Sequence, residues 1–242
     1  MGIFKSAFIL GSSSTIAKSI CLKLAQNGCN QFHLVSRDLN KNKNLIYKLE
    51  TIYGAKVTEE ENNLLLNNSL EKPFEPKIKY YDLYLIAAGY IGKSDPRKFN
   101  SKESIKINFI NFSGLIPWLT EITKEERINK KGSLWILSSV ASDRGRPSNY
   151  PYGSSKAALS IFCEGLLLNC LKKPFSVRII KAGYISTPMA KGAPKFLCTS
   201  PDKVANILMN NPQKRGIEYL PWWWKFIMFI VQRLPSHFAA KL

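Results

Sequence analysis

The chain has 242 residues, 45% of them hydrophobic, with a formal charge of +18 and an isoelectric point near 9.7. That length suits one large α/β domain with a full core and leaves too little chain for two. The charge calls for an anionic partner, yet the lysines are scattered, with no run of five or six basic residues and no zinc-finger spacing, so nucleic-acid binding is set aside.

Cys21, Cys29, Cys163, Cys170 and Cys198 form no C-x-x-C and read as reduced core thiols of a cytoplasmic protein. His33 and His237 are too far apart to argue for a metal, and no metal site is expected. No secretory signal precedes the first apolar run. The opening Met1 to Ser6 matches an N-myristoylation pattern, a reading weakened because these residues lead straight into a core strand.

Ala7 to Leu10 is a short continuous apolar run, the pattern of a strand buried on both faces of a parallel sheet. It breaks at Gly11 to Ala17 and resumes at helical spacing through Ile16, Ile20 and Leu24, with Asn27 and Gly28 as the stop. Strand, glycine turn and helix open a dinucleotide-binding unit. Gly11 permits the sharp turn, and the helix start (Ser13, Ser14, Thr15, Ile16) offers hydroxyls and N–H groups to phosphate. Lys18 and Ser19 fall one residue too late for a P-loop.

Gln31 to Ser36 is the second strand, followed at its tip by Arg37; Leu45, Ile46, Leu49 and Ile52 mark a helix ending at Gly54. Thr58 to Tyr81 is polar and carries no readable period. Asp82 to Ala88 is expected as the fourth strand and Ser101 to Thr120 as one helix. Leu134 to Leu137 is a strand closed by Ser138 and Ser139, followed by a turn-rich loop holding Arg144 and Arg146. A helix then runs from about Tyr152 to Leu171, apolar on nearly every side. Val177 to Ile180 is a buried strand, Ser200 and Pro201 start a helix, and Gly216 to Leu220 is the last strand. This alternation gives an α/β fold over residues 1–220: a Rossmann-like doubly wound parallel sheet of about seven strands with helices on both faces.

Residues 221–242 differ. Three tryptophans and a greasy run are edged by Lys225 and Arg233, too short to span a bilayer. The segment fits either a membrane surface or a contact over the substrate cleft or a dimer partner.

Tyr152 and Lys156 are four apart and so share one helical face. A phenol with an ordinary pKa near ~10 is a poor acid or base at neutral pH, and a neighbouring ammonium favours its phenolate. Ser139 stands thirteen residues before Tyr152, at a strand end. Serine, tyrosine and lysine so placed resemble the active-site signature of the short-chain dehydrogenase/reductase family.

The resemblance implies a carbonyl/alcohol oxidoreductase with Ser139, Tyr152, Lys156 and Asn111 as its catalytic residues, Asn108 being the alternative to Asn111. It implies a nicotinamide cofactor held by Gly11, Ser13, Ser14, Thr15, Ile16, Arg37, Ala87, Ala88, Gly89, Tyr152, Lys156, Gly183, Ile185 and Thr187. Arg37 favours NADP(H) over NAD(H), with Ser36 as a second donor. Thr15 and Ala17 replace two of the family's glycines, Ala87-Ala88-Gly89 stands in place of its Asn-Asn-Ala-Gly, without the strand-bracing asparagine, and Ala182 replaces a proline. The usual acidic contact to adenine cannot be placed between Thr58 and Tyr81. The greasy helix after Tyr152 implies a homo-oligomer.

Arg144 and Arg146 are candidates for an anionic group on the substrate. Their loop and the tryptophan-rich tail together resemble the subgroup containing the keto-reductase of decaprenylphosphoryl-arabinose synthesis, implying a lipid-phosphate-linked sugar. A silent NADP-binding sensor and a basic membrane-surface adaptor are the alternatives. The sensor would have been expected to lose Tyr152 or Lys156.

Overall fold

In the computed structural model, which describes residues 3–65, 74–92 and 100–241, seven parallel strands form one sheet. They are β1 (Ser6–Leu10), β2 (Gln31–Ser36), β3 (Lys56–Glu61), β4 (Leu83–Ile86), β5 (Gly132–Ser139), β6 (Phe175–Ala182) and β7 (Gly216–Leu220), in the order β3-β2-β1-β4-β5-β6-β7. The order runs outward from β1 in both directions, so the chain reverses between β1 and β4. A crevice at the carboxyl ends of these strands follows from that reversal.

Helices cover both faces. On one side α1 (Thr15–Gln26) and α2 (Lys43–Thr51) pack Ile20, Leu24, Leu45 and Leu49 onto the sheet. The same core takes Val204 and Leu208 of α7 (Pro201–Asn210), whose Ser200 cap accepts from the Lys203 N–H. The other side carries α3 (Ser101–Asn111), α4 (Ile116–Ile122), the short α5 (Glu125–Ile128) and α6 (Tyr150–Asn169). Trp118, Ile122, Leu159 and Cys163 fill the core there. All five cysteines are free thiols.

Two elements depart from the sequence expectation. β3 runs into the stretch that reads as featureless, because as an edge strand it exposes Lys56, Thr58, Glu59 and Glu61, half-buries only Val57 and Glu60, and never forms an apolar run. The helix expected from Ser101 to Thr120 breaks at Phe112 (φ −142°, ψ −72°), passes through a 3₁₀ turn and restarts as α4. Pro117 explains the restart: it withholds an N–H and is tolerated only in a first helical turn.

Arg178 of β6, buried in the sheet, donates to the Glu218 carboxylate of β7 and to the Leu208 and Asn211 carbonyls, while Lys214 pairs with the second Glu218 oxygen. The tail forms α8 (Trp224–Arg233) and a last turn, α9 (Ser236–Ala239). α8 packs by Trp224 and Met228 against Val140, just beyond β5, with Tyr184 and Leu197 alongside. Among the described residues no helix is long and apolar enough to cross a membrane. The amino-terminal pattern for acylation centres on Gly2, outside the described residues.

Candidate active site

The turn after β1 is built for a close approach. Gly11 sits at φ +87°, and a Cβ there would stand 2.6 Å from Ala88 Cα. Its N–H and that of Ser12 both donate to the Val35 carbonyl, tying the turn to β2. Ser14 caps α1 by accepting from the Ala17 N–H at 3.1 Å. The first-turn N–H groups of α1 therefore face the crevice with the positive end of the helix dipole behind them.

That crevice encloses about 440 Å³. Gly11, Ser13, Ser14, Thr15, Ile16, Arg37, Ala87, Ala88, Gly89, Ser139, Arg146, Tyr152, Lys156, Gly183, Ile185 and Thr187 all line it. Residues more than 170 positions apart in the chain thus meet in one groove.

Two expected residues lie outside its wall. Arg144 turns to α8, donating to the Gln232 and Leu234 carbonyls, where a guanidinium satisfies acceptors at the end of a helix. Asn111 is buried behind Gly89: a Cβ on Gly89 would be 3.3 Å from Asn111 Oδ1 and 3.7 Å from Lys156 Nζ. Its amide is committed to the backbone, with Oδ1 accepting from the Tyr90 N–H at 2.8 Å and Nδ2 donating to the Tyr90 and Ile107 carbonyls. Asn111 thus braces the floor with its side chain. Asn108 bonds back to Ser104 within its own helix.

Ser36 too departs from the expectation. Its hydroxyl donates to the Asp38 carbonyl and accepts from Asn42, so it offers no second donor to a ligand. Lys41, which the sequence reading passed over, joins Arg37 in the lining, and the Arg37 side chain is solvent-exposed.

Tyr152 and Lys156 are both buried. Burial holds the phenol above its ordinary pKa, partly offset by a hydrogen bond with Ser139 and the nearby charge of Arg146. Burial also lowers Lys156 to about 8. In the protein alone, then, Ser139 and Arg146 favour the phenolate of Tyr152, a part that the sequence had given to Lys156. Lys156 Nζ is 6.0 Å from the tyrosine ring centroid and donates to the Leu137 carbonyl at 2.9 Å. Next to it, Ser138 Oγ and Ser160 Oγ are hydrogen-bonded at 2.6 Å, joining β5 to α6 a second time. Ser139 Oγ accepts from the Ala141 N–H at 3.1 Å, which leaves its own hydrogen to donate.

Three residues of the lining carry a buried polar atom with no partner among the described residues: Asn62 Oδ1, Arg146 Nε and Asn149 Oδ1. Such groups are costly unless a ligand or water satisfies them. Asn62 follows β3, where the family's acidic adenine contact was sought; an amide oxygen there accepts hydrogen bonds as a carboxylate does. Together with the Gly11 turn and the Arg37 and Lys41 cations, the lining fits a phosphorylated nucleotide. Gly183 underlies Trp224, whose indole occupies the space a side chain at 183 would need.

A family model described as short chain dehydrogenase matches residues 5–196. An uncharacterized oxidoreductase of Streptomyces coelicolor is 25% identical over 242 residues, covering 98% of this chain and 96% of its own. A second, from Mycobacterium tuberculosis, is 28% identical over 162 residues, 65% of this chain and 64% of the relative. A putative dehydrogenase of Burkholderia cenocepacia solved with bound NADP superposes with a TM-score of 0.73 at 15% identity, over 90% of this chain and 93% of that one. The chain belongs to the short-chain dehydrogenase family and is an oxidoreductase acting between CH–OH and C=O groups.

Proposed function

We propose that this chain interconverts a ketone and a secondary alcohol with NADP(H), on a substrate bearing an anionic group. The observation that carries the reading is the Tyr152 hydroxyl set against Ser139 at the groove that begins at Gly11, with Lys156 one helical turn along. The nicotinamide, when bound, supplies or accepts the hydride. Tyr152 gives the proton to the substrate oxygen in reduction and takes it back in oxidation. Ser139 donates to that oxygen as charge grows on it. With a pKa of about 8, Lys156 is mostly cationic at neutral pH and would hold the nicotinamide ribose.

For the cofactor, Arg37 and Lys41 support a 2′-phosphate, and the Burkholderia dehydrogenase of like fold holds NADP. For the substrate, Arg146 beside Tyr152, with its Nε unpartnered among the described residues, supports a phosphate or carboxylate. The specific candidate we put forward is a keto-sugar on a lipid phosphate, on the likeness of the 138–156 loop and the tail to that subgroup. A second copy is assigned to the outward stripe of α6, where Ile161 and Leu168 are exposed. Retention of both Tyr152 and Lys156 weighs against a silent sensor.

The test is Tyr152→Phe. NADPH binding should stay within about twofold while NADPH consumption against keto-sugar phosphates and simple ketones falls at least ~10²-fold. Retained turnover would remove Tyr152 as the proton donor.

A further inference from the structure

α8 carries apolar side chains on two opposite faces. Trp224 and Met228 are buried on one. Trp222, just before the helix, and Phe226, Phe229 and Ile230 form a stripe on the other, with Trp222 71% exposed. The neighbouring loop adds Phe196, 83% exposed, beside Leu197, which packs on the same cluster as α8. A helix apolar all round requires cover on its second side.

Charge decides what covers it. Residues 182–201 and 219–242 contain no Asp or Glu, and Lys191, Lys195, Lys225, Arg233 and Lys241 are all exposed. A two-fold contact through this face would set these cations against their own copies. An anionic bilayer offers hydrocarbon to the rings and phosphate to the cations.

We propose that α8 and the adjoining 188–198 loop dock this protein onto an anionic lipid surface. The same elements border the active-site groove: Val140, which lines it, packs on α8, and Pro188 to Ala190 line it from the loop. Docking therefore brings the groove to the headgroups and makes the substrate a bilayer-borne molecule. That last step rests on the oxidoreductase reading; the attachment itself does not.

The test is sedimentation of the full chain with vesicles of phosphatidylcholine alone or mixed with phosphatidylglycerol. Partitioning should be at least about tenfold stronger on the anionic vesicles, each basic charge contributing about fivefold, and should fall as salt rises. Phe226→Ser/Phe229→Ser, on exposed positions, should lose about tenfold or more with melting temperature unchanged. Lys195→Glu/Lys225→Glu tests the same face without touching the apolar stripe and should lose at least about 25-fold. No attachment by the unmutated chain, or attachment unaltered in both variants, overturns the proposal. So does light scattering that shows a dimer dissociated by Phe226→Ser/Phe229→Ser in a protein that ignores vesicles. Sedimentation needs no turnover, so an inactive protein that still attaches would refute the enzyme reading alone.

Discussion

Gly183→Ala offers a direct test of how the tail is fastened to the site. A methyl group at 183 would overlap Nε1, Cε2 and Cδ1 of Trp224, an indole only 5% exposed. If the ring is merely pushed aside, the overpacking costs about 1–3 kcal/mol. Should it leave its seat, the loss approaches the ~3–5 kcal/mol expected for Trp224→Ala. In the double variant the methyl enters space the indole has vacated. Gly183→Ala should then add nothing to Trp224→Ala, and the two single costs should exceed the double by at least ~1 kcal/mol. Equilibrium urea unfolding of the four proteins, compared at equal slope, reads this out. Single costs that sum to the double within ~0.5 kcal/mol would refute direct contact between Gly183 and Trp224. Because Gly183 lines the groove and donates to the Leu220 carbonyl, Gly183→Ala should also weaken NADPH binding, followed by fluorescence titration.

Three further outcomes are expected. Arg37→Asp should cost NADPH about ten- to a hundredfold in Kd, the worth of a charge-assisted bond of ~1.5–3 kcal/mol, and reverse the preference towards NADH; equal affinities in the unmutated protein would exclude this role. Lys156 is depressed to about 8 in the folded chain, so between about pH 8 and its ordinary value near 10.5 the unfolded chain binds a proton the folded one does not, and stability from this group rises with pH. Below pH 8 the burial penalty is fully present, about 3 kcal/mol, so Lys156→Met should compare most favourably with the parent near pH 7 and lose that advantage by pH 10; a pH-independent difference in urea midpoints would contradict it. Asn111→Ala frees the Tyr90 N–H and carbonyl and should cost ~1–3 kcal/mol in stability, with a lower kcat, and Asn111→Asp, which keeps the acceptor but sets a buried carboxylate oxygen against the Tyr90 and Ile107 carbonyls, should recover neither.

The parallel sheet was legible because its central strands are buried on both faces and therefore write themselves as apolar runs: Ala7 to Leu10 and Leu134 to Leu137 carry no other period. β3 was not, since an edge strand facing water spells Lys56, Thr58 and Glu59 as a loop would. The groove residues adjoining a glycine turn or a strand end could be named because their motifs resemble those of the family. Spacing says nothing of direction, which is why Arg144 and Arg146, two apart, were read alike although one reaches α8 and the other the groove. Asn62 and Asn149 were missed for a related reason: an unsatisfied amide is a property of packing, and no local pattern announces it. The tail was recognisable as a change of composition, but that Trp224 would be sheathed while Phe226 stayed outside depends on a gap above Gly183, forty-one residues away.

The bonds from Lys156 to Leu137 and from Ser138 to Ser160 rivet one strand to one helix at successive residues, immediately before Ser139. Thermal drift of the sheet must then carry serine, phenol and ammonium along as a single plate. Their mutual spacing is measured from one shared datum, so distortion elsewhere in the domain changes the distance from this trio to an incoming ligand well before it changes the distances within the trio.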